Sequence, residues 1–349
     1  MNTLRDVAKK ARVSPMTVSR VVNGAPSVRP ETRRRVEKAI SDLNFIPNGV
    51  ARGLKSNKTG SLGLIVPDIV NPFFAVVVRG AETVARRAGY RLLLCISEND
   101  LALERQYVED MISHCVEGLL IAPVGDRSLS NFELLVRRKF PFVLMDRSVR
   151  GLDCDLVQGD NVAGARRLVR HLVSIGHRRI AAIMEPDNVS TARERLQGYQ
   201  EALAAAGIAP DPELVAQTSA DRAGGYSATH QILSLDPLPT AILAVNNMTA
   251  LGAMQAIRER GLAVPADIAL VCFDDVEHLA VLSPFLTVMN QPAESFGTVA
   301  AQLLLDRIAG KTSERPRQVV LQPHLLVRES CGAKAGPPAR GAPPAGRTD

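Results

Sequence analysis

The segment 3–24 reads TLRDVAKKARVSPMTVSRVVNG and predicts two short helices joined by a tight turn. In its first half, apolar residues recur at the i, i+3, i+4, i+7 spacing of one helix face, namely Leu4, Val7, Ala8 and Ala11. Thr3 is expected to cap this helix, and Asp6 stands three residues later, as in a loose capping box.

The second helix of the segment is expected to begin after Ser14, which can cap it, with Pro15 in its first turn. Its stop is Asn23-Gly24, because glycine tolerates the left-handed conformation of a helix end. The buried face holds Val18, Val21 and Val22, and the opposite face holds Met16, Thr17 and Arg20. A third helix starts near Pro30-Glu31 and buries Val36, Ala39, Ile40 and Leu43. Two short helices braced by a third form a helix-turn-helix, whose second helix fits the major groove of DNA.

The exposed face of the second helix carries side chains suited to reading bases. Arg20 has the forked donors that match O6 and N7 of guanine, while Thr17 and Met16 offer a hydroxyl and an apolar contact. Arg33, Arg34 and Arg35 open the third helix, where phosphate contact and a solvated charge run are equally good readings.

Charge is distributed unevenly along the 349 residues. Residues 1–60 contain 13 Lys and Arg against 4 Asp and Glu, whereas the remaining 289 residues contain 29 against 32. A basic head on a slightly acidic body is typical of a nucleic-acid-binding module attached to a domain of another function, although a solvated basic face would give the same count.

The segment FIPNGVARGLKS, residues 45–56, follows the head. Gly49 and Gly53 weaken any helix that starts at Pro47, so we expect a linker that becomes helical only when something else orders it. Leu54 stands between two basic residues and would suit a wedge in a minor groove, the alternative being an ordinary polar linker with one incidental leucine.

With the segment PETRRRVEKAISDLNFIPNGVARGL, residues 30–54, the first sixty residues resemble the DNA-binding head and hinge of the LacI/GalR family of bacterial transcription regulators. The resemblance implies that Pro15, Met16 and Arg20 sit at base-reading positions. It further implies that the head contacts the DNA backbone through Thr3, Ser14, Thr17, Asn23 and Thr32. The hinge contacts that it implies are those of Ala51, Leu54 and Lys55. Arg12 stands where the family usually has a turn glycine, and Pro15 and Met16 carry no side-chain donor, so readout is expected to lean on Arg20, on DNA shape and on the hinge.

From residue 62 onward, short apolar runs alternate with helix-length stretches. The predicted strands are Leu62–Val66, Arg91–Ser97, Gly118–Ile121, Phe142–Met145, Ile180–Met184, Leu214–Thr218, Ala241–Ala244 and Ile268–Phe273. The predicted helices are Phe74–Ala88, Ala102–Ser113, Asn161–Ile175, Thr191–Ala206 and Asn247–Arg260. This alternation predicts parallel sheets with helices on both faces, and roughly ten strands suit two doubly wound lobes better than one sheet. The predicted fold class is therefore a small all-α head on an α/β body of two parallel-sheet lobes.

Ligands of such sheets bind beyond the carboxyl ends of the strands, so the residues that follow the strands are the candidates. They are Asn71–Phe74, Asp146, Asn188–Arg195, Asn246 and Asp274-Asp275, a mixture of aromatic, charged and amide groups that suits a small polar ligand. Taken singly, Asp146, Arg195 and Asp274 could equally be loop or cap residues.

The LacI/GalR resemblance continues to about residue 330 through blocks such as VPDIVNPFF, VLMDRS, STARERLQGY and VNNMTALGAMQAI. It implies a periplasmic-binding-protein-like core whose lobes are linked by three crossings, near Gly159–Asn161, Met289–Gln291 and Gln322–His324. The effector-site residues that it implies are Phe73, Phe74, Asp146, Thr191, Arg195, Asn246 and Asp274. Asn246-Asn247 replaces a common Asn-Asp pair, and Ala220 and Val189 stand where a purine-binding member has a stacking aromatic and an arginine, which disfavours a purine effector.

The domain boundaries that follow are 1–46 for the helix-turn-helix domain, 47–60 for the hinge and 61–330 for the effector-binding and dimerisation core. Within the core, the N-lobe takes about 61–159 and 291–322, and the C-lobe about 160–290 and 323–330. Residues 331–349, rich in Gly, Pro and Ala, are expected to be a disordered tail.

Two other classes of protein, an enzyme and a periplasmic binding protein, could contain a body of this kind. A dinucleotide or hydrolytic enzyme is unsupported, because no glycine-rich phosphate loop, nucleophile elbow or metalloprotease motif occurs. The six histidines and five cysteines show no ligand spacing, so neither a metal nor a cofactor is expected. A periplasmic sugar-binding protein would share the body, but it has no use for a helix-turn-helix and would need an export signal.

The sequence therefore predicts a repressor whose affinity for pseudo-palindromic operator DNA is controlled by a small polar effector, a sugar, sugar derivative or hydroxy acid, bound between the lobes. Two-fold operators imply a homodimer, with pairing of dimers left open. No apolar run approaches the roughly 18 residues of a membrane span, so a soluble, cytoplasmic protein is expected.

Overall fold

The computed structural model of the chain describes residues 2–22, 25–45, 59–275, 285–311 and 315–333. Its contacts separate two compact units, residues 1–59 and 60–349. The predicted fold class is confirmed, since a three-helix head precedes an α/β body with two sheets. Apart from the start of the tail, the individual domain and lobe boundaries given above stay predictions.

The described residues of the head form three helices: α1 (Leu4–Ala11), α2 (Pro15–Val22) and α3 (Pro30–Asp42). The helices meet in one small core because each presents one apolar face, and its buried members are Val7, Ala8, Ala11, Val18, Val21, Val36 and Ala39. Ile40 and Leu43, predicted as core, lie partly buried at its edge. Thr3 caps α1 as predicted, with a full capping box to Asp6.

The turn between α1 and α2 is held by side chains on both sides. Ser14 Oγ accepts a hydrogen bond from the Thr17 amide at 3.1 Å, which confirms the predicted cap of α2. Arg12 ends α1 in the left-handed conformation at φ 52°, a conformation that glycine adopts most readily. Nη2 of Arg35 donates to the carbonyl oxygens of Ala11 and Arg12 at 2.6 and 3.2 Å, so this arginine of the run that opens α3 fastens the turn.

The body contains two six-stranded sheets. The first has the strand order β11-β5-β4-β3-β1-β2, and all its pairs are parallel. Its strands are β1 (Ser61–Val66), β2 (Arg91–Ile96), β3 (Leu119–Ile121), β4 (Phe142–Met145), β5 (Asp155–Gly159) and β11 (Gln318–Leu321). The second has the order β12-β10-β9-β8-β6-β7. Its strands are β6 (Ile180–Met184), β7 (Val215–Gln217), β8 (Ala241–Ala244), β9 (Ala269–Phe273), β10 (Thr287–Asn290) and β12 (His324–Leu326). We call the halves of the body built on these sheets the first and second lobes.

Helices cover both faces of each sheet, as parallel strands require. They are α4 (Pro72–Arg87), α5 (Leu101–Ser113), α6 (Leu129–Arg137), α7 (Asn161–Ser174), α8 (Ser190–Ala205), α9 (Arg222–Ile232), α10 (Asn247–Glu259) and α11 (Ala293–Ile308). Although α11 follows the second-lobe strand β10, it packs against α4 in the first lobe. The two helices approach closely because Gly297 has no side chain, and a β-carbon there would overlap the carbonyl oxygen of Val77.

The eight predicted strands are all present, with bounds that differ by no more than one residue at an end. Four further strands, β5, β10, β11 and β12, were not predicted. Two of them, β11 and β12, are sheet-edge strands with only partly buried side chains, so they lack the apolar run that identifies a buried strand. The pairing of β12 with β10 is antiparallel, a departure from the predicted parallel sheets.

The start of the predicted tail is wrong. Cys331, its first residue, is fully buried in a short 3-10 turn and packs into the core of the second lobe. Its thiol lies 3.3 Å from Nε2 of His171 on α7. Because the small apolar side chain of Cys331 packs into this core, the body extends beyond residue 330, where the glycine- and proline-rich composition had placed the start of the tail. Residues 334–349 lie outside the described residues.

Candidate functional site

The outer face of α2 is open, as the DNA-reading prediction requires. Pro15, Met16 and Arg20 are exposed, and the Met16 side chain is 54% exposed despite being apolar. Thr3 and Ser14 are exposed, whereas Thr17 and Thr32 are half-buried. Ser14 and Thr17 also share a 2.9 Å hydrogen bond between their hydroxyls. Asn23, Ala51, Leu54 and Lys55 lie outside the described residues, so their roles stay predictions.

A cavity of about 190 Å³ lies between the two lobes, and all seven residues predicted for the effector site line it. They are Phe73, Phe74, Asp146, Thr191, Arg195, Asn246 and Asp274. Asn71, a strand-end candidate, and Ala220, compared above with a purine-binding member, line it too. The cavity is also lined by residues that were not predicted, namely Pro67, Asp68, Glu98, Asn99, Arg147, Glu185, Ser219 and Asp221.

The ends of three strands position residues that line the cavity, and these residues form its wall. Asp146 directly follows β4, Asp274 directly follows β9, and Asn246 stands two residues after β8. Because parallel strands end at the same edge of a sheet, these side chains reach the crevice together. Both aspartates have left-handed backbones, with φ of 65° and 63°. A non-glycine residue in this conformation is uncommon and is enriched at functional sites.

Arg195 on α8 is almost fully buried in the wall. Its Nε donates to Asn161 Oδ1 at 2.9 Å, and its Nη1 donates to the carbonyl oxygen of Val245 at 2.6 Å. The guanidinium stands over the Phe273 ring, 4.1 Å from the ring centre. These three contacts hold a planar cation at one orientation before any ligand arrives.

Asp146 is the most unusual acid of the cavity. It is 7% exposed, and its Oδ1 has no hydrogen-bond partner among the described residues. Burial raises the pKa of Asp146 to about 6, with Asp274 and Glu185 adding to the rise while Arg147 and Arg195 oppose it. Such an acceptor is costly unless a ligand or water satisfies it, so Asp146 points to a hydrogen-bond donor in the cavity.

Asp274 is held by a neighbour from the second predicted crossing. Gln291, 4% exposed, donates from Nε2 to Asp274 Oδ1 at 2.8 Å. Burial raises the pKa of Asp274, while Arg195 and this hydrogen bond lower it. Asn246 has a double role, since its Oδ1 accepts from the Thr249 amide to cap α10 and its Nδ2 donates to the Ala220 carbonyl oxygen at 2.9 Å.

Arg147 and Glu185 are the main residues that sequence reasoning missed. Arg147 Nη2 donates to Glu185 Oε1 at 3.3 Å across the cleft, while Nη1 bonds to Asn99 Oδ1 and to the carbonyl oxygens of Pro123 and Val124. Glu185 directly follows β6, and Arg147 is the second residue after β4, next to Asp146. Inspection of every strand end would therefore have found both. The lobes are joined again where the Ser148 amide donates to Ser190 Oγ and where Arg193 contacts Asp126 at 3.0 Å.

Within the described ranges, no group of His, Cys, Asp or Glu side chains is arranged to hold a metal ion. Of the helices in those ranges, none has the length and apolar character to cross a bilayer.

Both the head and the body of the chain are similar to known proteins. Residues 3–48 match "Bacterial regulatory proteins, lacI family", and residues 169–331 match "Periplasmic binding protein-like domain". The ribose operon repressor of Haemophilus influenzae is 34% identical over 330 residues, which cover 95% of this chain and 98% of the relative. The HTH-type transcriptional repressor PurR of Aliivibrio fischeri is 35% identical over 333 residues, with the same coverage.

Solved structures of the same kind superpose along nearly the whole chain. The lac repressor dimer bound to operator and the anti-inducer ONPF has 30% identity and a TM-score of 0.82, covering 95% of this chain and 99% of that one. The complex of the transcriptional regulator CelR with cellobiose has 33% identity and a TM-score of 0.72, covering 95% and 100%. With a DNA-reading head, a polar interlobe cavity and relatives matched along both, this chain belongs to the lacI family of bacterial regulatory proteins and is a DNA-binding transcription regulator.

Proposed function

We propose that the protein is a repressor that binds a pseudo-palindromic operator and changes its affinity for it when a small polar effector fills the interlobe cavity. The observation that carries the proposal is that one chain combines an open α2 face with a cavity lined by all seven predicted effector residues. A sugar, sugar derivative or hydroxy acid is the class of effector that the prediction allows. Ala220 lines the cavity with no aromatic ring, which argues against a purine.

Ligand between the lobes would favour one lobe arrangement over another, and only such differential binding can alter DNA affinity. The coupling expected of an allosteric effector is about 1–3 kcal/mol. The predicted hinge, residues 47–60 with Leu54 as a minor-groove wedge, is the proposed route from body to head. The direction of the change, release of the operator or tighter binding, is decided by which hinge state the effector-bound body favours.

A homodimer is part of the proposal, since a two-fold operator is read by a two-fold protein. The edge strand β2 supports it, because Leu93 and Leu94 are each about two-fifths exposed there. An exposed apolar edge strand is normally covered by a partner. A Leu94→Asp variant is expected to sediment as a monomer, whereas the wild-type chain sediments as a dimer. We also propose that the protein catalyses no reaction on its effector and works in the cytoplasm, where its DNA is.

The proposal is tested by selecting duplexes from a randomised library with the full-length chain. Wild-type protein is expected to enrich a pseudo-palindromic sequence. Arg20→Ala should lose that enrichment by about tenfold or more, as one good base contact contributes about 1–3 kcal/mol of discrimination. Arg170→Ala is the matched control, because it removes an equal charge from an exposed site on the body. Enrichment that survives Arg20→Ala, or no enrichment by wild type, would contradict the proposal.

A further inference from the structure

We propose that the effector is an uncharged, hydroxyl-rich molecule and that anions, hydroxy acids and sugar phosphates included, are excluded by the cavity wall. This inference rests on the proposed function only in taking the interlobe cavity as the effector site. It narrows the effector class that the sequence left open to its neutral members.

The first argument is the charge of the wall. Six carboxylates line the cavity, those of Asp68, Glu98, Asp146, Glu185, Asp221 and Asp274. Two guanidiniums, of Arg147 and Arg195, oppose them, and no lysine or histidine is among the described residues that line the cavity. An anionic ligand would therefore enter a space in which acids outnumber bases three to one. Like charges brought together in a desolvated site are strongly unfavourable.

The second argument is that both arginines are already engaged. Arg147 donates to Glu185, to Asn99 and to two backbone carbonyl oxygens. Arg195 uses Nε for Asn161 and Nη1 for the Val245 carbonyl oxygen. Recognition of a carboxylate or phosphate by arginine typically uses two parallel donors of one fork. Among the described residues nothing accepts from Nη2 of Arg195, and Nε of Arg147 also has no hydrogen-bond partner. Each is a single nitrogen whose neighbours in the same guanidinium are already engaged, so no complete fork is left for a ligand.

The third argument is that a hydrogen-bond acceptor of the cavity wall lacks a partner. Oδ1 of Asp146 is buried and accepts no hydrogen bond. An ionised carboxylate can only accept, so the missing partner is a donor. A hydroxyl group supplies that donor and can also accept from Nη2 of Arg195 in the same wall. A carboxylate or phosphate ester offers only acceptors at its charged end, and a protonated amine offers only donors. Phe73 and Phe74 supply an apolar surface for the carbon skeleton of the ligand.

The cavity also limits size. Its volume of about 190 Å³ falls below the roughly 300–1,000 Å³ of pockets that hold drug-sized ligands. The cross-lobe contacts, Arg147 to Glu185 and Ser148 to Ser190, keep the lobes together at this width. A ligand of monosaccharide size is the one that the closed arrangement accommodates.

The test uses the full-length chain and matched sets of probes, read by the shift in thermal unfolding temperature. Each set contains a neutral molecule, its phosphate ester and its acid: D-ribose, D-ribose 5-phosphate and D-ribonate, then D-glucose, D-glucose 6-phosphate and D-gluconate. Further neutral probes, each followed up with its own acid or phosphate ester if it responds, are D-xylose, D-galactose, D-fructose and sorbitol. Cellobiose, a disaccharide, tests the size limit, and spermidine is the cationic probe. We expect at least one neutral probe to raise the unfolding temperature, as binding to the folded state must. Its anionic forms should bind at least about tenfold more weakly.

The Asp146→Asn variant ties the response to the unpartnered acceptor. It should weaken binding of the responding neutral probe by about tenfold or more, because a carboxylate acceptor is replaced by a weaker neutral one. Glu109→Gln is the matched control, since it removes an exposed acid on α5 outside the cavity, and it should bind that probe like wild type.

An anionic or cationic probe that binds at least as tightly as every neutral probe overturns the inference, and so does a panel in which no neutral probe shifts the unfolding temperature. Operator binding by the ligand-free chain, measured separately by gel shift, keeps the two proposals distinguishable. A protein that binds its operator and responds to a sugar phosphate refutes the ligand class alone. A protein that binds a neutral sugar but enriches no DNA refutes the proposed function alone.

Discussion

The backbone of Gly159 lies directly against the side-chain amide of Gln291, so that a β-carbon on Gly159 would overlap Oε1 of Gln291. The two residues belong to different predicted crossings between the lobes, and Gln291 in turn holds Asp274 of the cavity. The crossings are therefore packed against each other directly behind the effector site.

Gly159→Ala is expected to weaken effector binding and to lower the free energy of unfolding by about 1–3 kcal/mol. The added methyl group displaces the Gln291 amide and breaks its hydrogen bond to Asp274. Thermal unfolding and ligand titration of the variant measure both effects. In a Gln291→Ala background the same methyl group has room, so the double variant should lose little more than Gln291→Ala itself. Additive losses would show that the overlap with Gln291 is not the cause.

Asp146→Asn is expected to stabilise the ligand-free protein near neutral pH. Because the folded state raises the pKa of Asp146 from 3.8 to about 6, its protonated form is favoured by folding. The stabilisation that the protonated carboxyl gives the wild-type protein is complete below pH 3.8 and is lost as the pH rises to about 6. Above about pH 6 the buried, ionised carboxylate lowers the free energy of unfolding by a constant amount. The stability of the variant minus that of wild type should thus rise between pH 4 and 6.5 by on the order of 1–3 kcal/mol.

Urea unfolding at a series of pH values measures this difference. Asp274, Glu185, Arg147 and Arg195 surround Asp146 and are present in both proteins, so the difference between the two profiles is the diagnostic quantity. A difference that does not change with pH would mean that Asp146 is not the buried, unsatisfied acid described above.

Arg195→Lys is expected to abolish the effector response although it keeps the charge. Lysine has one nitrogen, which cannot bond Asn161 and the Val245 carbonyl oxygen in the geometry of the guanidinium or stack on Phe273 in the same way. Binding of the responding ligand should fall by at least about tenfold, equivalent to about 1.4 kcal/mol. Isothermal titration measures it, with Arg170→Lys on the exposed surface as the control. Binding equal to wild type would remove Arg195 from the site.

Arg35→Ala is expected to destabilise the head, whereas Arg34→Ala is not. Arg35 donates to the carbonyl oxygens that end α1, and such a bond is worth about 1 kcal/mol. Arg34 is exposed in the same helical turn, so the pair removes equal charge. Amide hydrogen exchange of α1 in the full-length chain reads the local stability. Equal exchange rates in the two variants would show that the contact to α1 contributes nothing.

Much of the fold could be predicted because the relevant signals are local. The spacing of Leu4, Val7, Ala8 and Ala11 gives a helix with one buried face wherever it folds, and Thr3 and Ser14 are caps by their own chemistry. The buried parallel strands are continuous apolar runs, so their ends, and with them Asp146 and Asp274, could be located. The full list of effector residues came from the family resemblance, and geometry now brings those residues to one cavity.

The rest depends on contacts between residues that are distant in the chain. Glu185 acquires its meaning from Arg147, 38 residues earlier, and Gln291 from Asp274 and Gly159. Cys331 was assigned to the tail by composition, but its burial is set by the second-lobe core it packs into. Helix periods, caps and strand ends could thus be assigned from the order of residues, since they depend on neighbours a few positions away. The charge balance of the cavity, its unsatisfied acceptor and the packing of the crossings arise only when the two sheets are brought together, because each needs side chains from both.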